Sequence, residues 1–293
     1  MILRHLWLLL PCALAICWSV TCPADEPAGK KTNHSFAGTK AGQQIADNVL
    51  LTPLVWVPPG KFLMGSPPTE PGHRENEGPV EVTLTAGFWL GKYEVTQSEW
   101  ENMMHTTPWR GKKDVLEGDN YPASFISWDD AMKFCERLTR YERGEGRLPA
   151  GWRYTLPTEA QWEYACRAGT TTAFSFGDDA AMFGDYGWYD GNTVRRGEPF
   201  AHAIGQKQPN AWGLCDMHGN VYEWCRDRGD SAIGRLPGGT DPQGSATGSR
   251  RADRGGGWEE PASKARSASR DFSPPGERNP DLGFRLAIVR AGQ

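Results

Sequence analysis

Asn210-Ala-Trp-Gly-Leu-Cys-Asp-Met-His-Gly-Asn-Val-Tyr-Glu-Trp224 crowds glycine, tryptophan and oxygen-bearing side chains into fifteen residues. That density belongs to a folded site and not to a linker. Asp216, Asn220 and Glu223 can send oxygens towards one point, and glycines 213 and 219 free backbone carbonyls to turn inward. Calcium, a hard cation taking about six to eight oxygen ligands, is held in this way. A local reading competes: Asn220 as a helix N-cap, with Glu223 at the third helical position, forms a capping-box-like pair that needs no metal.

The surrounding chain favours an irregular, aromatic-anchored fold. Its 293 residues include 35 Gly, 22 Pro and 13 Trp, and 38% are hydrophobic, enough for a substantial core. Gly and Pro interrupt regular elements, while Trp buries area without needing one. The glycines have no three-residue period and aromatic residues are plentiful, which excludes collagen-like and disordered classes. A net charge of -4 argues against nucleic acid as an obligatory partner, and the Arg250, Arg251, Arg254 cluster reads as a solvated loop.

The N-terminus reads as an export signal over residues 1–24. Arg4 and His5 precede an apolar run from Leu6 to Val20, and Ala24 supplies a small residue before Asp25. The run is short for a bilayer span, so no stable membrane span is expected after cleavage and the mature chain is expected in the periplasm or outside the cell. Lipid attachment at Cys22 competes, with Ser19 and Thr21 a poor approach to it. Cys135, Cys166, Cys215 and Cys225 then remain, and in an oxidising compartment they permit two disulfides of undetermined connectivity.

Residues 25–52 are polar with little periodicity and read as a flexible linker, followed by one domain over 53–293. Val55-Trp-Val57, Phe62-Leu-Met64 and the alternating Val80, Val82, Leu84 are predicted strands, with a further strand from Phe88 to Val95. Three cap-like pairs, Thr96/Glu99, Ser127/Asp130 and Thr158/Gln161, each predict a helix start, and Gly169 ends the third helix. Beyond Gly169, long ordered loops are expected. Gly255-Gly-Gly257 is followed by no Lys-Ser or Lys-Thr and reads as a turn, not a phosphate loop.

Read in order, Trp56 to Ser66, Glu94-Val-Thr96 with Trp100, Ser127 to Ala131, Leu156 to Ala165, the 210–224 stretch, Arg254 to Trp258, and Asp281-Leu-Gly-Phe-Arg285 resemble the formylglycine-generating enzyme, or sulfatase-modifying factor, family. The resemblance spans about residues 54–289. It implies an α+β fold of the C-type-lectin-like kind with few helices, short strands and calcium-pinned loops. It further implies a structural calcium held by Asp216, Gly219, Val221 and Glu223, two of them through backbone carbonyls. A second family calcium site would fall near Asp190 and Asn192, where a solvated Asp190-Gly191 turn is the stronger reading.

In the family, formylglycine production uses a cysteine pair between the Gly-Gly-x-Trp/Tyr and Gly-Phe-Arg markers to bind copper(I), which requires soft thiolates. Here that interval, residues 259–272, contains no cysteine, and none follows Cys225. Ser263, Ser267 and Ser269 are no substitute, and His73, His105, His202 and His218 lack metal-pair spacing. Copper is therefore not expected. The resemblance implies a scaffold without the thiol-copper centre, acting in protein or peptide binding or a divergent oxidation. The alternatives are an unorthodox formylglycine-generating oxidase and a calcium-dependent lectin-like module. Arg285 is expected to anchor the C-terminal strand.

Overall fold

A computed structural model describes residues 36–229 and 236–292; the export signal expected over residues 1–24, and residues 25–35, lie outside the described residues. Residues 36–52, which composition reads as linker, are packed. Phe36 sets its ring edge-on to Trp89 and Trp152, and its carbonyl accepts from Trp89 Nε1. Strand β1 (Gln44–Ile45) pairs with β2 (Leu54–Val57), so a polar composition conceals one aromatic anchor that ties the segment down.

The central sheet runs β1-β2-β5-β12-β6, all antiparallel, with β5 Phe88–Gly91, β6 Trp152–Thr155 and β12 Ala287–Arg290. Strand β5 is shorter than expected, because beyond Gly91 the chain leaves the ladder to build the site. Alternation along β2 sends Leu54 and Trp56 into one cluster and Val55 and Val57 into another, so this sheet is buried on both faces. Helices α1 (Gln97–Met104) and α2 (Trp128–Gly144) contribute Trp100, Phe134 and Leu138 to the first cluster. Helix α3 (Glu159–Arg167) contributes Ala160, Trp162 and Ala165 to the second.

All three predicted helix starts are present. Thr96 and Thr158 close full capping boxes with Glu99 and Gln161, and Ser127 accepts from the Asp130 N–H. A second sheet, β10-β9-β7-β11, joins β7 (Tyr222–Gly229), β9 (Arg250–Arg254), β10 (Arg270–Ser273) and β11 (Leu282–Gly283). The third is β3-β4-β8, over Gly60–Met64, Val80–Leu84 and Gly239–Thr240.

Buried ion pairs fasten α3 to the second sheet. Arg254 Nη1 donates to Glu159 at 3.0 Å and its Nη2 to Glu163 at 2.5 Å, while Arg270 grips Glu159 through two bonds of 2.7 Å. Arg254 is no solvated loop residue: it is fully buried. Glu163 also accepts from the Gly65 N–H and pairs with Arg167, which reaches back to the Gly65 carbonyl. At the start of α3 the Glu159 N–H donates to Asp227 Oδ2. Burial, then nearby Glu159, pushes the Asp227 carboxyl up to about 7.

Removing one partner of a buried pair strands the other charge, at about 3–5 kcal/mol. Arg254→Met is accordingly expected to lose that much in urea denaturation; a loss under about 1 kcal/mol would refute the fastening role. Asp227 gives a pH signature. Its folded carboxyl keeps a proton that the unfolded chain releases near 3.8, so its contribution disfavours folding increasingly as pH rises from there through about 7. In Asp227→Asn, the fall in stability over that window is expected to flatten, by up to about 1.4 kcal/mol per pH unit.

Candidate functional site

The 210–224 stretch bonds the segment after β5, the Cys215 N–H donating to the Lys92 carbonyl, and enters β7. Asp216 and Asn220 sit in the left-handed region at φ 56° and 66°, which short polar side chains tolerate, and Gly219 takes φ 90°. A Cβ at Gly219 would lie 2.0 Å from the Trp188 carbonyl oxygen, so only glycine lets the loop lie against that backbone. The N-cap reading of Asn220 is corrected: the chain continues as strand β7, not as a helix. The Asn220 side chain instead accepts from the His202 N–H and donates to Glu94 Oε1 at 3.0 Å.

Asp216, Gly219, Val221 and Glu223 thus lie on one loop-to-strand passage, with two features the sequence did not reveal. First, Glu223 is already engaged. Its Oε2 accepts from Arg285 Nε at 2.6 Å and Trp162 Nε1 at 2.7 Å, and its Oε1 from Arg285 Nη2 at 2.6 Å. Arg285 also donates to the carbonyls of Gly91, Lys92 and Cys215, so it anchors several elements as well as the C-terminal strand. Second, Glu94 joins the site from the segment after β5. Glu94 Oε2 and Asp216 Oδ1 are buried with no hydrogen-bond partner, and the other Asp216 oxygen accepts from the Gly205 N–H at 2.6 Å.

Burial, then the charge of Asp216, holds Glu94 well above the usual carboxylate range, and burial pushes Asp216 up to about 6. Two buried carboxyls side by side, with the nearest guanidinium committed to Glu223, call for a shared proton or a cation. The two orphaned oxygens fit a hard, oxygen-seeking cation. Among the described residues no three His, Cys, Asp or Glu side chains form a metal-binding cluster, so such a cation would need backbone carbonyls. At the second expected position, Asp190 is paired with Arg195 at 2.6 Å, and Asn192 bonds the Tyr189 N–H and the Gly187 carbonyl. Both side chains are spent locally, in keeping with a turn.

The four described cysteines are buried and free; none forms the disulfides their number permits. Burial pushes Cys166 up to about 12 and Cys215 up to about 11, and raises Cys135 and Cys225 strongly. Cys166 and His218, which the sequence reads separately, meet beside Ser267 at 3.7 Å. Burial lowers His218 to about 4 as it raises Cys166, so both groups are held in their neutral forms and no thiolate–imidazolium pair is favoured. The His218 Nδ1–H donates to the Ala265 carbonyl, and its Nε2 accepts from the Ser175 N–H and Oγ–H.

The cysteine-free interval runs from the turn after β9 into β10, and part of it faces a cavity of about 330 Å³. Glu259, Glu260 and Asp271 line it together with Asp253, Asp281 and Tyr222. Sequence reasoning passed over Asp253 and Asp281 because each sits inside or beside a marker defined by its neighbours.

Residues 42–290 match the profile of the sulfatase-modifying factor enzyme 1-like domain. Among similar proteins, the formylglycine-generating enzyme of Streptomyces coelicolor is 31% identical over 191 residues, covering 61% of this chain and 56% of that enzyme. The mouse formylglycine-generating enzyme is 25% identical, with 94% and 87% covered. The solved structure of PvdO from Pseudomonas aeruginosa superposes with TM-score 0.73 at 28% identity, covering 86% of this chain and 99% of that one. Treponema denticola variable protein 1 gives 0.70 at 27%, covering 82% and 95%. The α+β, C-type-lectin-like architecture is that of these neighbours, and the chain belongs to the sulfatase-modifying factor enzyme 1-like family.

Proposed function

We propose that this is an exported, calcium-pinned member of the family that binds a protein or peptide ligand and does not carry out copper-thiol formylglycine formation. The observation that carries this reading is the interval between the two family markers. It offers carboxylates to a cavity where the oxidase chemistry needs thiolates, and the cysteines elsewhere in the fold are buried and protonated. A protonated, inaccessible thiol neither binds copper(I) nor exchanges with a substrate thiol.

Calcium would be held by Asp216, by the carbonyls of Gly219 and Val221, and by Glu223, whose Oε1 takes a single hydrogen bond and keeps a lone pair. Glu94 would add its orphaned oxygen. The cation would supply charge that relieves the Glu94–Asp216 repulsion and would cross-link the segment after β5 to the 210–224 loop.

Two measurements test this. Calcium at about 100 times its dissociation constant is expected to stabilise the wild type by about 2.7 kcal/mol, raising its thermal midpoint. Asp216→Ala, which removes the side-chain oxygen altogether, is expected to lose most of that gain; an equal gain in the variant contradicts the assignment. Incubation with copper(I) and a peptide carrying Cys-x-Pro-x-Arg is expected to yield no aldehyde by mass spectrometry, and aldehyde formation would overturn the non-oxidase reading.

A further inference from the structure

The cavity beside β9 and β10 is built against its own electrostatics. Antiparallel register sets Asp271 directly opposite Asp253 on the neighbouring strand, a like-charge pair that disfavours the sheet. Asp281 closes in from the chain before β11, its carboxyl so near the Gly257 backbone that a Cβ there would sit 2.6 Å from Oδ2. Glu259 and Glu260 complete a set of five carboxylates. Among the described residues the one cation paired with any of them is Lys264, half-exposed and 3.8 Å from Asp271.

Asp253 points to a ligand independently of the cluster. It is 2% exposed, and its Oδ2 has no hydrogen-bond partner. Apart from Glu94, the fold pairs its deeply buried glutamates with arginine: Arg254 with Glu159 and Glu163, Arg266 with Glu77, Arg285 with Glu223 and Arg147 with Glu142. Here the counter-charge is missing. Burial and the facing Asp271 accordingly hold Asp253 well above the carboxylate range, and burial with Glu259 pushes Asp281 up to about 7.

The space suits a larger cation than a bare metal ion. No three of the acidic side chains converge as metal ligands, and 330 Å³ is roughly ten times a water's share of the liquid. Carboxylates spread around such a volume suit a group carrying several N–H donors along its length. We propose that this cavity binds an organic cation through alkylammonium or guanidinium groups, with Asp253 and Asp281 as its buried acceptors. The source is a free polyamine or a basic side chain of a peptide. This rests on the interval being a binding site and not an oxidase site, yet its failure is separable: aldehyde formation overturns that reading, whereas absent amine binding overturns this inference alone.

The test is isothermal titration of the full chain at about pH 8 with spermidine, with a capped tetralysine peptide, and with calcium alone. Saturable binding of at least one amine is expected, the tighter of the two identifying the source. Asp253→Asn is expected to weaken it about tenfold or more, since a charge-assisted hydrogen bond is lost. The variant is expected to fold, because it removes an uncompensated buried charge, and Asp281→Asn is a second reporter. Glu136→Gln, exposed on α2, is the control expected to leave affinity unchanged. No amine binding, amine affinity indifferent to both cavity variants, or displacement of amine by calcium in a manner that Asp253→Asn abolishes would each overturn the proposal.

Discussion

One buried ion pair, Glu223 with Arg285, fixes how the sheets meet. Both side chains are fully enclosed, the guanidinium grips the carboxylate through two bonds of 2.6 Å, and Trp162 adds a third. Three carbonyls, from Gly91, Lys92 and Cys215, use other donors of the same guanidinium. The pair therefore ties the end of β5, the site loop, β7 and the approach to β12 together through Arg285, and adds α3 through the Trp162 bond to Glu223. Arginine suits the task because its planar fork bonds in several directions without losing charge, which a lysine ammonium cannot reproduce. Buried pairs add little over a well-packed apolar alternative, but severing one leaves a charge that the interior cannot solvate.

This arithmetic separates structural charge from functional charge in the molecule. Arg254 and Arg266 repeat the pattern of Arg285, each held by carboxylates and carbonyls, although Arg254 Nε donates to nothing. Three places break it: the orphaned oxygens of Glu94 and Asp216, the carboxylates around Asp253, and Asp227, whose Oδ1 has no hydrogen-bond partner. The first two lie near the turn that follows β9 or the loop that enters β7, where glycines let backbones approach closely. These are the places where the calcium and the organic cation proposed above would supply the missing charge.

Much of the frame was legible because its signals are local. The capping pairs at Thr96, Ser127 and Thr158 name helix starts within four residues, and alternation at Val80, Val82 and Leu84 names a strand. Long-range facts were not legible. Asn220 and Glu223 have helix-cap spacing, yet Asn220 meets Glu94, 126 positions away, and Glu223 meets Arg285, 62 away. Phe36 sits in a polar stretch and is anchored by tryptophans far along the chain. The cavity arises from cross-strand register, which places Asp271 on Asp253 and which no linear spacing encodes.

The most direct test of this account is a double-mutant cycle on Glu223 and Arg285, read by urea denaturation with a chelator present so that calcium plays no part. Glu223→Gln and Arg285→Met are each expected to cost about 3–5 kcal/mol, and the double variant much less than their sum, because removing both partners strands no charge. Single losses that simply add would show that the two residues act independently and that the pair does not hold the scaffold.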